Sequence, residues 1–161
     1  MSTHIEVSGI IRSLDQAEEC AHAVMHVLSE ERACLETRDA EGLTKLMPAK
    51  LEALAALEAA ERERARQAEA LGFPADPEGM RQLLRDLHDE ALNARWESLT
   101  EQLRALQRTN EANGRLIHRG LEQASEMVAI LTGTHPGQAA TYGQDGARHG
   151  QNGPGRSITS A

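Results

Sequence analysis

Aromatic residues are nearly absent from this sequence of 161 residues, at 2% of the composition. Phenylalanine, tryptophan and tyrosine occur once each, as Phe73, Trp96 and Tyr142, so the 40% that is hydrophobic is almost entirely aliphatic. Sheet cores are usually rich in aromatic and β-branched residues, whereas leucine, alanine, glutamate and arginine favour helices. The composition therefore argues against a sandwich, a barrel or a doubly wound sheet and predicts an all-α fold.

Long apolar runs and a basic excess are missing as well. No run of about 18 apolar residues is present, and the first residues lack the basic-then-apolar order of a secretion signal. We therefore expect a cytoplasmic protein with no membrane insertion. The 25 acidic residues outnumber the 17 basic ones, and the net charge of −8 makes nucleic acid a poor partner. The two cysteines, Cys20 and Cys34, would lie about 21 Å apart on one helix, too far for a disulfide.

Motifs for catalysis and metal binding are also missing. The sequence contains no P-loop, no Rossmann glycine pattern and no nucleophile elbow. His22 and His26 have the spacing of a helical metal pair but lack the glutamate of a zinc protease motif between them. Glu19 and His22 form half of a di-iron motif, and the sequence has no second half. We expect no catalytic residue, metal or cofactor, and an all-α metalloenzyme is only a third hypothesis.

The first half of the chain has a helical apolar pattern. Ser13 predicts the N-cap of a first helix, and a one-sided apolar stripe continues from it to Leu35. Pro48 predicts a kink or a short break, because its ring clashes with the preceding helical turn. A strongly helix-favouring stretch then ends near Leu71.

The second half predicts one very long helix after a turn. Residues 72–77 combine glycine and proline, with Asp76 as the expected N-cap and Pro77 as the first helical residue. Apolar or amide side chains then recur at spacings that alternate strictly between four and three over residues 92–117. A single helix from Pro77 to Leu131 follows from this pattern. Together the two halves predict a long antiparallel helical hairpin or coiled-coil bundle.

The composition changes abruptly after Thr132. Glycine and proline interrupt residues 133–161, and no aliphatic cluster remains there. We therefore predict a helical domain of residues 1–132 and a flexible, disordered tail of residues 133–161. Tyr142 is the one aromatic residue of this tail. It is either an anchor that docks into a partner or a residue without a specific role in a spacer.

Two asparagines replace leucine on the long apolar stripe. A polar amide at Asn110 or Asn113 would specify register or partner if the position is buried. The equally weighted alternative is that the helix faces water at both positions. Gly114 and Gly120 each cost about 1 kcal/mol relative to alanine inside a helix, so this part of the stripe is expected to be less rigid.

The order of these features resembles the FlgN-type flagellar export chaperones over most of the chain. The segments that carry the resemblance are Leu35-x-x-Arg38-Asp39-Ala40-Glu41-Gly42-Leu43, Leu106-Gln107-x-x-Asn110-x-x-Asn113-Gly114-x-Leu116-Ile117 and Thr141-Tyr142-Gly143-x-Asp145-Gly146. The asparagine block and the tyrosine-glycine segment are the more specific parts. The extended loop near Phe73 and the long glycine-rich end depart from the family pattern.

The resemblance implies a chaperone that binds the C-terminal helices of the hook-filament junction proteins FlgK and FlgL. It would prevent their premature assembly and deliver them to the export gate component FlhA, where Tyr142 and Gly143 would dock. The implied client-binding residues are Asn110, Asn113, Leu116, Ile117, Leu121, Ala124, Val128 and Leu131. The alternative hypothesis is a structural coiled-coil protein without a client, whose apolar stripe is covered by self-association, for example in a homodimer.

Overall fold

The computed structural model describes residues 2–133, and their regular secondary structure is entirely helical. The helices are, in chain order, α1 Ser2–Thr37, α2 Ala40–Ala70, α3 Pro77–Leu87 and α4 Glu90–Thr132. The all-α prediction is therefore confirmed. The chain forms two compact units, Met1–Gly120 and Leu121–Ala161, and the second is described as far as residue 133. The predicted boundary at residue 132 and the predicted flexible tail stay predictions, because residues 134–161 lie outside the described part.

The first helix begins well before the predicted N-cap. Ser13 lies inside α1, where its buried hydroxyl donates a hydrogen bond to the Ile10 carbonyl at 2.8 Å. A serine hydroxyl that donates to a carbonyl of the preceding helical turn can lie inside a helix, where it does not act as an N-cap. Ile10 and Leu14 are both fully buried, so the apolar stripe simply continues upstream through this position. The prediction of a helix start at Ser13 was therefore wrong.

The break in the first arm lies at Arg38 and Asp39, not at Pro48. Arg38 has a left-handed backbone with φ of 55°, and Asp39 caps α2 by accepting a hydrogen bond from the Gly42 amide at 2.8 Å. A Cβ at Gly42 would come within 2.4 Å of an Asp39 carboxylate oxygen, so a larger residue there would displace the capping side chain. Pro48 lies inside α2, and the helix continues through this proline without a break.

The turn before α3 follows the prediction. Gly72 adopts a left-handed backbone, and Asp76 caps α3 with its side chain accepting from the Gly79 amide at 2.7 Å. Pro77 is the first residue of α3. A Cβ at Gly79 would lie 2.0 Å from the Pro74 carbonyl oxygen, so the loop can fold against α3 only with glycine there.

The predicted long helix is divided in two. His88 has a left-handed backbone with φ of 54° and ends α3, and the Asp89 side chain then accepts from the Leu92 amide at 3.0 Å. This second cap starts α4. The apolar spacing of five between Leu87 and Leu92 is the local departure from the otherwise regular pattern. The prediction of one helix from Pro77 to Leu131 was wrong at this point.

The core of the first unit is aliphatic apart from Trp96, and all four helices contribute to it. Its largest fully buried side chains are Trp96, Ile10, Leu14, Leu28, Met80, Leu84 and Leu99. Helices α1 and α2 pack against each other, and the small residues Ala17 and Ala60 are buried in this core. Both cysteines lie on α1 and are free, as their spacing predicted.

An ion-pair cluster ties α4 to α1 at the edge of this core. The Arg95 guanidinium donates to Asp15 at 2.6 Å and to Glu18 at 2.9 Å. These hydrogen bonds raise the pKa of Arg95 above its ordinary value, with Glu18 the larger cause. The contact connects residues that are 77 positions apart or more, so it forms only when the helices are packed.

Candidate functional site

A buried polar cluster joins α1, α2 and α4 within the first unit, and we call it the Asn113 cluster. The Asn113 side chain is 0% exposed and donates to the Leu28 carbonyl and to a Glu31 carboxylate oxygen, both at 2.9 Å. Lys50 donates to the two oxygens of the same carboxylate at 2.7 Å and 3.0 Å. The cluster therefore consists of Asn113, Glu31 and Lys50, with one residue from each helix.

This arrangement decides between the two interpretations of the asparagines. Asn113 lies in a buried seam, where its hydrogen bonds form in only one alignment of α4 against α1. Asn110 is half-buried, and the described residues give its side chain no hydrogen bond. The two asparagines are thus not equivalent, although both fall on the same stripe. The Oδ1 atom of Asn113 is buried without a hydrogen-bond partner among the described residues.

The remaining predicted client-binding residues fall into two groups. Leu116 and Ile117 belong to the first unit and are half-buried. Leu121, Ala124, Val128 and Leu131 belong to the second unit and are exposed. Tyr142 and Gly143, the predicted gate-docking residues, lie outside the described residues. The binding roles of these residues stay predictions.

The described part of the second unit carries a broad apolar surface, which we call the α4 apolar face. It consists of Leu121, Ala124, Met127, Val128, Ile130 and Leu131. The five large side chains of the face are 59% to 80% exposed. Met127 and Ile130 were missed by the sequence prediction, because they widen the stripe instead of continuing its spacing of three and four. Exposed apolar surface of this extent commonly marks an interaction site.

The other side of this helical segment is polar. Glu122 and Glu126 are its charged residues, and no basic residue occurs between positions 121 and 133. The segment is therefore amphipathic and negatively charged. None of the helices in residues 2–133 is long and apolar enough to cross a membrane.

The histidine pair does not form a metal site in the described part of the chain. His22 and His26 are both exposed on α1, and the His26 ring lies 3.4 Å from the Glu30 carboxylate. Among residues 2–133, no three histidine, cysteine or carboxylate side chains lie close enough together to bind a metal ion.

An open cleft of about 220 Å³ lies between α1 and α2. It is lined by Gly9, Arg12, Ser13, Gln16, Glu63 and Gln67. Hydrogen bonds from Arg66 and then Gln67 lower the pKa of Glu63 to about 2. This carboxyl group therefore stays ionised at neutral pH, where it does not suit proton transfer.

The four helices define an all-α protein, and among residues 2–133 the α4 apolar face is exposed, as a surface that binds another polypeptide would be. Residues 1–150 match the family model described as FlgN protein. The chain therefore belongs to the FlgN family, a family of flagellar export chaperones and not of enzymes. Its role is accordingly that of a chaperone in flagellum assembly and protein export. No curated protein and no solved structure matches the chain.

Proposed function

We propose that this chain acts in the cytoplasm as an export chaperone for the junction proteins FlgK and FlgL. It binds their C-terminal helices, prevents premature assembly and delivers them to the export gate component FlhA. The observation that carries the proposal is the exposed α4 apolar face in a member of the FlgN family. An amphipathic client helix that lays its apolar side on this face would remove both surfaces from water.

The size of the α4 apolar face sets a limit on its contribution. Burying an exposed leucine or isoleucine completely contributes about 2 kcal/mol, and these side chains are only partly exposed. Five of them contribute about 7 kcal/mol in total. Association itself costs at least about 4 kcal/mol. The remaining margin supports weak binding, so a client needs further contacts, and we propose Asn110, Leu116 and Ile117 for them. Asn113 is fully buried, so we propose that it contributes to client binding only by fixing the position of α4.

The proposed gate contact involves a different part of the chain. Tyr142 and Gly143 match the tyrosine-glycine segment of the family pattern. We propose that they dock on FlhA, so that client and gate bind to separate residues of one chain. A buried aromatic anchor is a common source of affinity in such contacts.

Client binding is tested with a labelled peptide from the C-terminal region of FlgK, using fluorescence polarisation. The double variant Leu121→Glu with Val128→Glu should weaken binding at least tenfold. Leu51→Glu is the matched control, because Leu51 is 61% exposed on α2 and belongs to the first unit. Equal binding by the double variant and the wild type would place the client elsewhere. Circular dichroism of each variant checks that its helicity is retained.

The gate contact and the alternative function are tested separately. Tyr142→Ala should leave peptide binding unchanged and weaken the attachment to the FlhA cytoplasmic domain at least tenfold. Unchanged attachment would remove Tyr142 from the contact. Light scattering with and without the peptide addresses self-association. If the protein is a homodimer whose mass does not change when the peptide is added, the result would favour a structural coiled-coil protein over a chaperone.

A further inference from the structure

The last part of α4 in the first unit has a single buried side chain, and that side chain is polar. Residues 92–106 of α4 bury four apolar side chains, those of Leu92, Trp96, Leu99 and Leu106. Within residues 107–120, all of which the structure describes, Asn113 is the only buried residue. The attachment of this segment therefore depends mainly on hydrogen bonds, and a hydrogen bond typically contributes less than a fully buried leucine.

The Asn113 cluster can open without leaving a buried charge unpaired. Lys50 on α2 donates to both oxygens of the Glu31 carboxylate on α1, at 2.7 Å and 3.0 Å. Glu31 therefore keeps its cation when Asn113 withdraws. Asn113 then exchanges its two hydrogen bonds for hydrogen bonds to water, and its Oδ1 atom, which has no partner among the described residues, becomes hydrated as well. The segment is therefore held closed only weakly.

Two glycines make the same segment less rigid. Gly114 follows Asn113 directly, and Gly120 is the last residue of the first unit. A Cβ at either position would have free space around it, so packing does not require glycine there. Each glycine nevertheless lowers the stability of the helix. Because packing supplies most helical stability in proteins, a segment with two glycines that loses its packing also loses backbone hydrogen bonds.

We infer that the Asn113 cluster is a latch, which lets residues 113–120 detach from α1 and α2 while residues 92–106 stay packed. In the closed form Leu116 and Ile117 are half-buried. Opening of the latch exposes both side chains. The inference rests on the proposed function only in naming what uses them, namely a client helix. Such a client binds the open form more tightly and shifts the equilibrium towards it.

The latch is tested by hydrogen–deuterium exchange of the full chain at increasing urea concentrations, without any client. We expect protection factors in residues 113–120 at least tenfold lower than in residues 92–106, and less dependent on urea. Leu99 is fully buried in the part that stays packed when the latch opens. Leu99→Ala should therefore speed exchange in residues 92–106 at least tenfold and leave exchange in residues 113–120 within twofold of the wild type.

Replacing Asn113 gives the complementary result. Asn113→Ala should speed exchange in residues 113–120 about thirtyfold, because two hydrogen bonds are lost and one of them is to a carboxylate. Asn110→Ala is the matched control at a half-buried position one turn away, and it should change the exchange less than twofold. Asn113→Ala should also tighten binding of the FlgK peptide at least threefold, because it raises the population of the open form.

Three results of the exchange experiment would overturn the latch. They are equal protection of the two segments, equal acceleration of both by Leu99→Ala, and equal effects of Asn113→Ala and Asn110→Ala. If the exchange is as expected and the FlgK peptide does not bind the wild type, the latch stands and the proposed client role fails. If the peptide binds the wild type and Asn113→Ala equally, the connection between latch and client is overturned. If the exchange contradicts the latch and the peptide still binds, the proposed function stands without it.

Discussion

Replacing Asn113 with alanine should destabilise the first unit measurably, although it removes only one small polar side chain. The side chain makes one hydrogen bond to a buried carboxylate and one to a backbone carbonyl. Together these bonds contribute about 3 kcal/mol, the charged one being the stronger. Removal also deletes the buried Oδ1 atom that has no partner in the described structure, which returns about 1 kcal/mol. We therefore expect Asn113→Ala to lower the free energy of unfolding by about 2 kcal/mol.

Urea unfolding followed by far-ultraviolet circular dichroism measures this change. Asn110→Ala is the matched control, since it is the same substitution one turn away at a half-buried position without a hydrogen bond in the described structure. Its expected effect is within about 0.5 kcal/mol. The reasoning would be refuted if both variants lowered the free energy of unfolding equally, because the buried hydrogen bonds would then not carry the difference.

Three further substitutions or titrations follow from the same structure. Lys50→Met should lower the free energy of unfolding by about 3 kcal/mol, because it leaves the buried Glu31 carboxylate without its cation. The matched control is Lys45→Met, which removes an exposed ion pair with Glu41 and should lower the free energy of unfolding by less than about 0.5 kcal/mol. Glu63 should titrate near pH 2 instead of its ordinary 4.5, as followed by carbon-13 NMR, and Arg66→Ala should raise that pKa. Because the folded-state pKa is lowered, the stabilisation from Glu63 is complete above about pH 4.5 and is lost as the pH falls towards 2. Pro48→Ala should raise the free energy of unfolding by about 1–3 kcal/mol, because it restores a helical hydrogen-bond donor within α2.

Each of these expectations has a result that contradicts it. Similar losses for Lys50→Met and Lys45→Met would mean that burial of the first pair is unimportant. A Glu63 titration near 4.5 would show that Arg66 and Gln67 do not hold the carboxylate in solution. A destabilised Pro48→Ala variant would indicate that proline sets a required geometry within α2.

Local capping chemistry was the part of the fold that the sequence predicted best. Asp76 and Pro77 start α3 as expected, since a cap depends on residues within one turn of each other. The same rule failed at Ser13, where tertiary burial of the surrounding stripe continued the helix through a good capping residue. The cap at Asp89 was missed, because the regular stripe on either side outweighed one irregular spacing.

The candidate site was predictable in outline only. Asn110 and Asn113 occupy equivalent positions on the stripe, so no sequence pattern can distinguish them. What makes Asn113 the buried one is its contact with Leu28 and Glu31, which lie 85 and 82 positions away. Such pairing depends on how the helices assemble and not on either helix alone. The exposure of Leu121 through Leu131 likewise required the packed structure, because an apolar stripe alone does not reveal whether another helix covers it.

Trp96 gives the protein an intrinsic optical probe. It is the one tryptophan of the chain, it is 2% exposed, and the Arg64 guanidinium lies 4.8 Å from its ring centroid. Its fluorescence should shift to longer wavelength only when water enters the core of the first unit. A ligand that acts on Leu121 to Leu131 should leave that emission unchanged, so unfolding of the first unit can be followed on unlabelled protein without interference from client binding.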